Sequence, residues 1–403
     1  MITLNFLGEG IFRSSIPVLA ISLNSDPSAV GLSIAASKIP WLLLPIAAGL
    51  AIDHLSFKGI ILSGSSIRLA SFSLLAISML LESLTFFEFM ILSAIVTIGD
   101  ISAELAIQTS IPKISPNHDP AKINSFLLGM QIASAQLVAP ILTGVALISG
   151  PSTLISILIA IQIAIILIYH NPKINKFTSR EPRKSHPQQI LELLKDRTLF
   201  GTLLVASVMM ASYGVWSSAF TLYVFDSASG LGLTTFGYGL MMSSIAFGSL
   251  AGTILSAKLV SKLPHFPLIC ASILAMTLLP LGGLIGGPSA SASLTLFIYG
   301  FFLTIWNVIS ITYRQRFVPE GSLGRITGIY RSLTWGFMPL GAAVGSVICT
   351  QEGYRVTLAL ASALSILQLI SLPLLRDIGK IHAKRLSPKK RTLQIAVGES
   401  DIE

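Results

Sequence analysis

The chain is 403 residues long, 52% hydrophobic and only 11% charged, with a mean hydropathy of +0.78. Soluble domains carry about 25% charged residues, so this composition excludes a soluble globular protein and places the chain in a lipid bilayer. Its net charge of +9 raises a nucleic-acid partner, a class that the distribution of the basic residues removes.

About 20 mostly apolar residues cross a bilayer core as one helix. Twelve such runs lie at residues 2–23, 30–52, 59–80, 87–111, 122–148, 152–170, 198–223, 236–258, 264–286, 292–313, 323–349 and 356–375. Transmembrane barrels show alternating segments of about ten residues instead. The predicted fold class is therefore all-α and polytopic, with twelve transmembrane helices.

Span one holds Glu9, Arg13 and Pro17 inside its apolar run and has no basic leader, so it reads as a membrane span rather than a secretion signal. Lys38 falls in the outer half of span two, with no acid at its height; it either snorkels outward or meets an anionic substrate. The loop "GLAIDHLSFKG", Gly49 to Gly59, follows, with Asp53 placed to cap the next helix or to bind a cation. Arg68 in span three and Arg331 in span eleven lie near the cytoplasmic ends of their spans and read as snorkelling to the interface.

Span four ends in "TIGDISAELAIQTSIP", where Asp100, Glu104 and Gln108 fall four residues apart on one helix face. A charge at the bilayer centre costs at least about 2.5–3.5 kcal/mol, so these acids need protein or water around them. At 1.5 Å per residue, Asp100 lies about 18 Å and Glu104 about 12 Å from Pro112. Glu9 and Arg13 reach comparable depths from the other direction. With spans one and four facing each other, the expected ion pair is Arg13–Asp100, leaving Glu9 and Glu104 the less compensated carboxylates. Two acids sharing a dehydrated site repel as ions, which makes Glu9, Asp100 and Glu104 the proton-coupling candidates. The alternative is a static charge cluster that locks the bundle.

The one long connection, His170 to Thr198, is rich in proline and charge, and "QQILELLKDR" within it reads as a short surface helix. The expected division is residues 1–170, a cytoplasmic linker 171–197, residues 198–375 and a basic tail 376–403. Six spans on each side of a linker point to an internal repeat. "QTSIPKISPNHDPAKIN" from Gln108 and "QRFVPEGSLGRIT" from Gln315 supply one, at the ends of spans four and ten. The repeat sets Asn307 opposite Asp100, so the second half is neutral where the first is charged. Gln108, Lys38, Tyr213, Trp216, Trp306, Asn307 and Ser310 are the substrate-cavity candidates. Cys270 and Cys349 read as packed thiols, and the four-residue spacing of Gly341 and Gly345 reads as close helix packing.

With the N-terminus inside, 22 of the 27 Lys and Arg residues are cytoplasmic, Arg314, Arg316 and Arg325 among them; only Arg355 is outside. That asymmetry orients a multi-pass protein of the cell membrane with both termini cytoplasmic, and it accounts for the basic charge without nucleic acid. The six histidines are scattered along the cytoplasmic side, and no metal, phosphate-loop or nucleophile motif is present. The expected partners are the lipid bilayer, a small-molecule substrate and protons, with no cofactor and no enzymatic activity, in a monomer.

Three stretches resemble the major facilitator superfamily. Gly49, Asp53 and Lys58 match its loop signature Gly-x-x-x-Asp-x-x-x-x-Arg/Lys, while a second glycine and a basic pair of that signature are missing. "RQRFVPEGSLGRITGIYRSLTWGFMPLGAAVG", Arg314 to Gly345, and the acid-acid-Gln-Pro pattern of span four are similar to the branch holding the enterobactin exporter, macrolide efflux proteins and actinobacterial permeases. The resemblance implies two pseudo-repeated six-helix bundles, alternating access, a cavity lined chiefly by spans one, four, seven and ten, and a gating role for Asp53 with Lys58. The exporters' span-five signature survives as Ala139, Pro140, Thr143 and Gly144, without two of its glycines. The expected function is proton-coupled export of an amphipathic, drug- or siderophore-like molecule. Alternatives within the fold are an uptake permease or a lipid-moving relative. A channel would need a repeated ring of pore residues.

Overall fold

A computed structural model describes residues 2–23, 32–33, 36–114, 119–170, 193–228, 230–284, 289–319 and 321–379, nearly all of them helical. The helices in chain order are α1 Ile2–Leu23, α2 Pro40–His54, α3 Phe57–Leu80, α4 Phe86–Ile114, α5 Pro120–Ile148 and α6 Pro151–His170. The second half supplies α7 Arg197–Phe225, α8 Thr235–Lys262, α9 His265–Leu284 and α10 Ser289–Phe317. The run Leu323–Leu367 turns sharply at Gly353, whose φ of 81° favours glycine. We number residues 323–352 α11 and residues 354–379 α12, which finishes in 3₁₀ geometry over Gln368–Gly379. Among the described residues, eight helical stretches are long and apolar enough to cross a membrane, and one of them, Leu323–Ile378, holds two spans. Residues 188–192 of the expected surface helix at 188–197, and the tail beyond residue 379, lie outside the described residues.

Polar residues at the span ends start the helices. Ser56 Oγ accepts from Gly59 N at 3.1 Å, Asp119 from Ala121 N at 3.1 Å, and Asp196 from Leu199 N at 2.8 Å. Each satisfies a first-turn N–H that has no partner within its helix. Pro40 and Pro120 sit in the first turns of α2 and α5, where a missing N–H costs nothing. Inside α5, Pro140 follows a π-helical segment, Ile132–Val138, as expected where proline removes a helical donor. Gly10 of α1 packs there: a Cβ on it would come within 2.5 Å of Ala135 Cα. A Cβ on Gly144, the surviving glycine of the span-five pattern, would meet no neighbouring element within 4 Å.

Each half has its own apolar core. Phe72, Leu75, Phe89, Ile101 and Leu158 lie in the first, and Val205, Val215, Phe220, Ile273 and Ile305 in the second. Large apolar side chains also cover the outside, among them Leu80, Ile148, Leu167 and Ile254, a surface that only lipid would shield. Within the second half, α7 and α11 meet backbone to backbone. A Cβ on Gly341 would overlap Ala211 O, and one on Gly345 would stand 2.8 Å from Val215 Cα. Gly341→Leu is expected to force α7 and α11 apart and lower stability by about 1–3 kcal/mol or more, read as an earlier thermal transition of the detergent-solubilised protein.

The halves join at one end of the bundle, where α4 gives way to α5 and α10 to α11. There α2 lies against α11 so closely that a Cβ on Gly49 would overlap Gly324 O, and one on Gly328 would overlap Pro45 O. Beside this contact, Ser256 Oγ of α8 donates to Ser125 Oγ of α5 at 2.8 Å, and Arg316 reaches Asp119 at 2.6 Å.

Candidate functional site

Glu9 of α1 and Asp100 and Glu104 of α4 each hold an arginine, but only one pair follows from the sequence spacing. On α1, Arg13 pairs with Glu9 one turn away; the arginine side chain is 46% exposed and the carboxylate 8%. The expected Arg13–Asp100 pair does not form. Asp100 is bound instead by Arg68 of α3, Nη1 to Oδ1 at 3.0 Å, while Nη2 donates to Asn5 Oδ1 at 2.6 Å and Ser65 Oγ at 3.2 Å. Arg68 is 1% exposed and does not snorkel to an interface. Two glycines make this possible: a Cβ on Gly99 would stand 2.6 Å from Gly64 O and 2.7 Å from Arg68 Cγ, so α3 and α4 approach closely at the guanidinium.

Glu104 is not an uncompensated carboxylate either. Arg331 of α11 donates to its Oε1 at 2.6 Å, across the junction of the halves, and Gln108 Nε2 approaches the same oxygen at 3.3 Å. Arg331 therefore turns inward, to a partner 227 residues away in sequence. The two glutamines of the repeat also meet: Gln315 Nε2 donates to Gln108 O at 2.6 Å, and Asn124 Nδ2 donates to Gln315 Oε1 at 2.8 Å.

Between the halves lies a cavity of about 240 Å³. Of the sequence candidates, Arg13, Lys38, Glu104, Trp306 and Asn307 line it. Its walls come from α1, α4, α7 and α10 and equally from α2, α5, α8 and α11, more helices than the resemblance implies. Gln108 stands beyond its lining, at the closed end. Tyr213 and Trp216 belong to the second core instead, where Trp216 stacks on Phe220 at 4.3 Å and Tyr213 on Tyr299 at 6.3 Å. Ser310 sits behind the wall, accepting from Arg314 Nη1 at 2.9 Å and 3.2 Å from Tyr330 Oη. A second space of about 20 Å³, enough for one water, is bounded by Glu9, Arg13, Lys38 and Asp100.

Lys38 precedes α2, and its Nζ lies 5.5 Å from the centre of the Trp335 ring, which stacks on Trp41 at 5.2 Å. Lys58 stands in the first turn of α3; the side chain of Asp53 lies outside the described residues. Sequence reasoning missed Arg314, counted above as a loop cation. It belongs to α10, is 3% exposed, lines the cavity and lies 3.7 Å over the Tyr330 ring. The available signal was its place seven residues after Asn307, on the same helix face.

The model of the Major Facilitator Superfamily matches residues 1–339. The chain belongs to the Major Facilitator Superfamily. Macrolide efflux protein A of Streptococcus pyogenes is 24% identical over 372 residues, covering 89% of this chain and 90% of that protein. A bacterial homologue of the iron transporter ferroportin, solved in an outward-facing state, superimposes with a TM-score of 0.75 at 16% identity, over 92% of this chain and 96% of that one. The superfamily transporter FucP, solved in its outward conformation, does so with a TM-score of 0.69 at 15% identity over the same shares. At these identities the structures show the fold alone. This member of the Major Facilitator Superfamily is thus a multi-pass membrane transporter, with the family and fold of transporters rather than of enzymes.

Proposed function

We propose that this transporter exports a small amphipathic organic molecule from the cell in exchange for protons, by alternating access. The observation that carries the reading is the Glu104–Arg331 pair, which ties the two halves together at the cavity wall. A proton on Glu104 cancels the charge that holds Arg331. The halves can then part at their closed end, and loss of the proton lets the pair form again. With both termini cytoplasmic in the cell membrane, the closed end is the cytoplasmic one, so the state described here faces outward and takes protons from outside.

The neighbouring groups fit that cycle. Arg13 and Lys38 border both the cavity and the water-sized space that Glu9 and Asp100 bound, which gives a proton a route from the cavity into the bundle. Asp100, held by Arg68, keeps α3 and α4 registered while this happens. The efflux relative supports the outward direction of transport. One chain builds the whole cavity, so the working unit is a monomer.

Proteoliposomes with an acidic lumen test the reading with three probes of one shape: biphenyl-4-sulfonate, biphenyl-4-sulfonamide and 4-biphenyltrimethylammonium. At least one should accumulate, and a protonophore should abolish the accumulation. Glu104→Gln removes the titrating group, so gradient-driven accumulation should fall by about a hundredfold, within the usual range for a lost proton-transfer group, while exchange without a gradient persists. Accumulation by Glu104→Gln at the wild-type level would refute the assignment; Glu9→Gln separates a proton-entry role from the latch.

A further inference from the structure

In and beside the cavity stand five cations, Arg13, Lys38, Arg68, Arg314 and Arg331, against three carboxylates, Glu9, Asp100 and Glu104. Each carboxylate is already held by an arginine: Glu9 by Arg13, Asp100 by Arg68 and Glu104 by Arg331. Lys38 and Arg314 remain, and neither has a carboxylate partner among the described residues. Each lies against an aromatic ring, Trp335 and Tyr330 respectively, and the two are contributed by opposite halves to one cavity. Burying a charge without a counter-ion is costly unless a ligand supplies one.

We infer that the cavity selects an organic anion, an aromatic or apolar body carrying a carboxylate, sulfonate or phosphate, held between Lys38 and Arg314. The inference deepens the transport reading above and rests on it for the site's purpose. Arg314 is built for the task. Tyr330 supports its face and Ser310 takes one N–H, leaving other donors of its planar fork for a two-oxygen acceptor. Trp41, Trp306, Trp335 and Met209 supply the apolar wall that the rest of such a ligand requires. Because the cations come from different halves, the anion would also draw the halves together around itself.

Equilibrium binding of the three radiolabelled biphenyl probes to the purified full-length protein tests this without a gradient or translocation. The sulfonate should bind about tenfold or more tightly than the sulfonamide or the quaternary cation, as befits charge-assisted hydrogen bonds. Arg314→Gln and Lys38→Gln should each weaken the sulfonate by about tenfold and leave the sulfonamide within about twofold, which also certifies that the variants are folded. Should a variant fail to fold, the ranking of the probes on the wild type decides alone. The inference is overturned if the sulfonate shows no displaceable binding, if the sulfonamide or the quaternary cation binds as tightly, or if both folded variants keep wild-type sulfonate affinity. Anion-selective binding without proton-driven accumulation would overturn only the transport reading, and accumulation without anion preference only this one.

Discussion

Arg68→Met is expected to destabilise the protein by about 3–5 kcal/mol, because it strands a buried carboxylate. Asp100 is 9% exposed and its only ion-pair partner among the described residues is Arg68. The same guanidinium also satisfies Asn5 Oδ1 and Ser65 Oγ, so three elements lose a shared donor at once. The double variant Arg68→Met/Asp100→Leu removes both charges and should recover most of that loss, since an apolar pair of similar bulk carries no desolvation penalty. Thermal unfolding of the detergent-solubilised protein, with membrane expression as a second readout, measures both. A double variant no more stable than Arg68→Met would show that the pair is not the source of the effect. Arg13 provides the contrast. Its pair with Glu9 is a single helical turn and its side chain is 46% exposed, so Arg13→Met should cost about 0–1 kcal/mol.

Gly328→Leu should abolish transport while leaving each half folded. A Cβ at residue 328 would overlap Pro45 O, and the neighbouring contact of Gly49 with Gly324 leaves no slack for α2 to slide aside. Backbone cannot yield as a flexible side chain does, so α2 and α11 must separate and the closed end cannot form. A cysteine pair reports this directly. Ser125 and Ser256 touch across the same end at 2.8 Å, and Ser125→Cys/Ser256→Cys in a chain with Cys270 and Cys349 replaced by serine should oxidise readily. Adding Gly328→Leu should slow that crosslinking by at least about tenfold, as expected of a closed state raised by more than about 1.4 kcal/mol. Unchanged crosslinking together with lost transport would place the defect somewhere other than the closed end.

Several features were legible in the residues themselves. Apolar runs of bilayer length mark the spans, because that signal is local and repeats along the chain. The four-residue spacing of Asp100, Glu104 and Gln108 puts them on one face of α4, and the repeat at Gln108 and Gln315 marks where the halves meet. Gly341 and Gly345 do pack against backbone as their spacing indicates. Tyr213 and Trp216 show the limit of such reading: an aromatic in a span carries no mark of whether it faces a cavity or a core, and these two face the core.

By itself the sequence determined a twelve-span helical membrane protein with an acidic stripe on α4 and close helix packing at Gly341 and Gly345. Only the tertiary structure decided which cation meets which acid. Helical period says which face a charge occupies, whereas an ion pair depends on which helix lies beside that face and at what rotation. The choice of Arg68 over Arg13 for Asp100 turns on the Gly64–Gly99 approach of α3 to α4. The choice of Arg331 for Glu104 turns on the meeting of two halves that the sequence holds 227 residues apart. A charge-assisted hydrogen bond needs its atoms within about 3 Å, so a fraction of a helical turn decides which arginine a carboxylate meets.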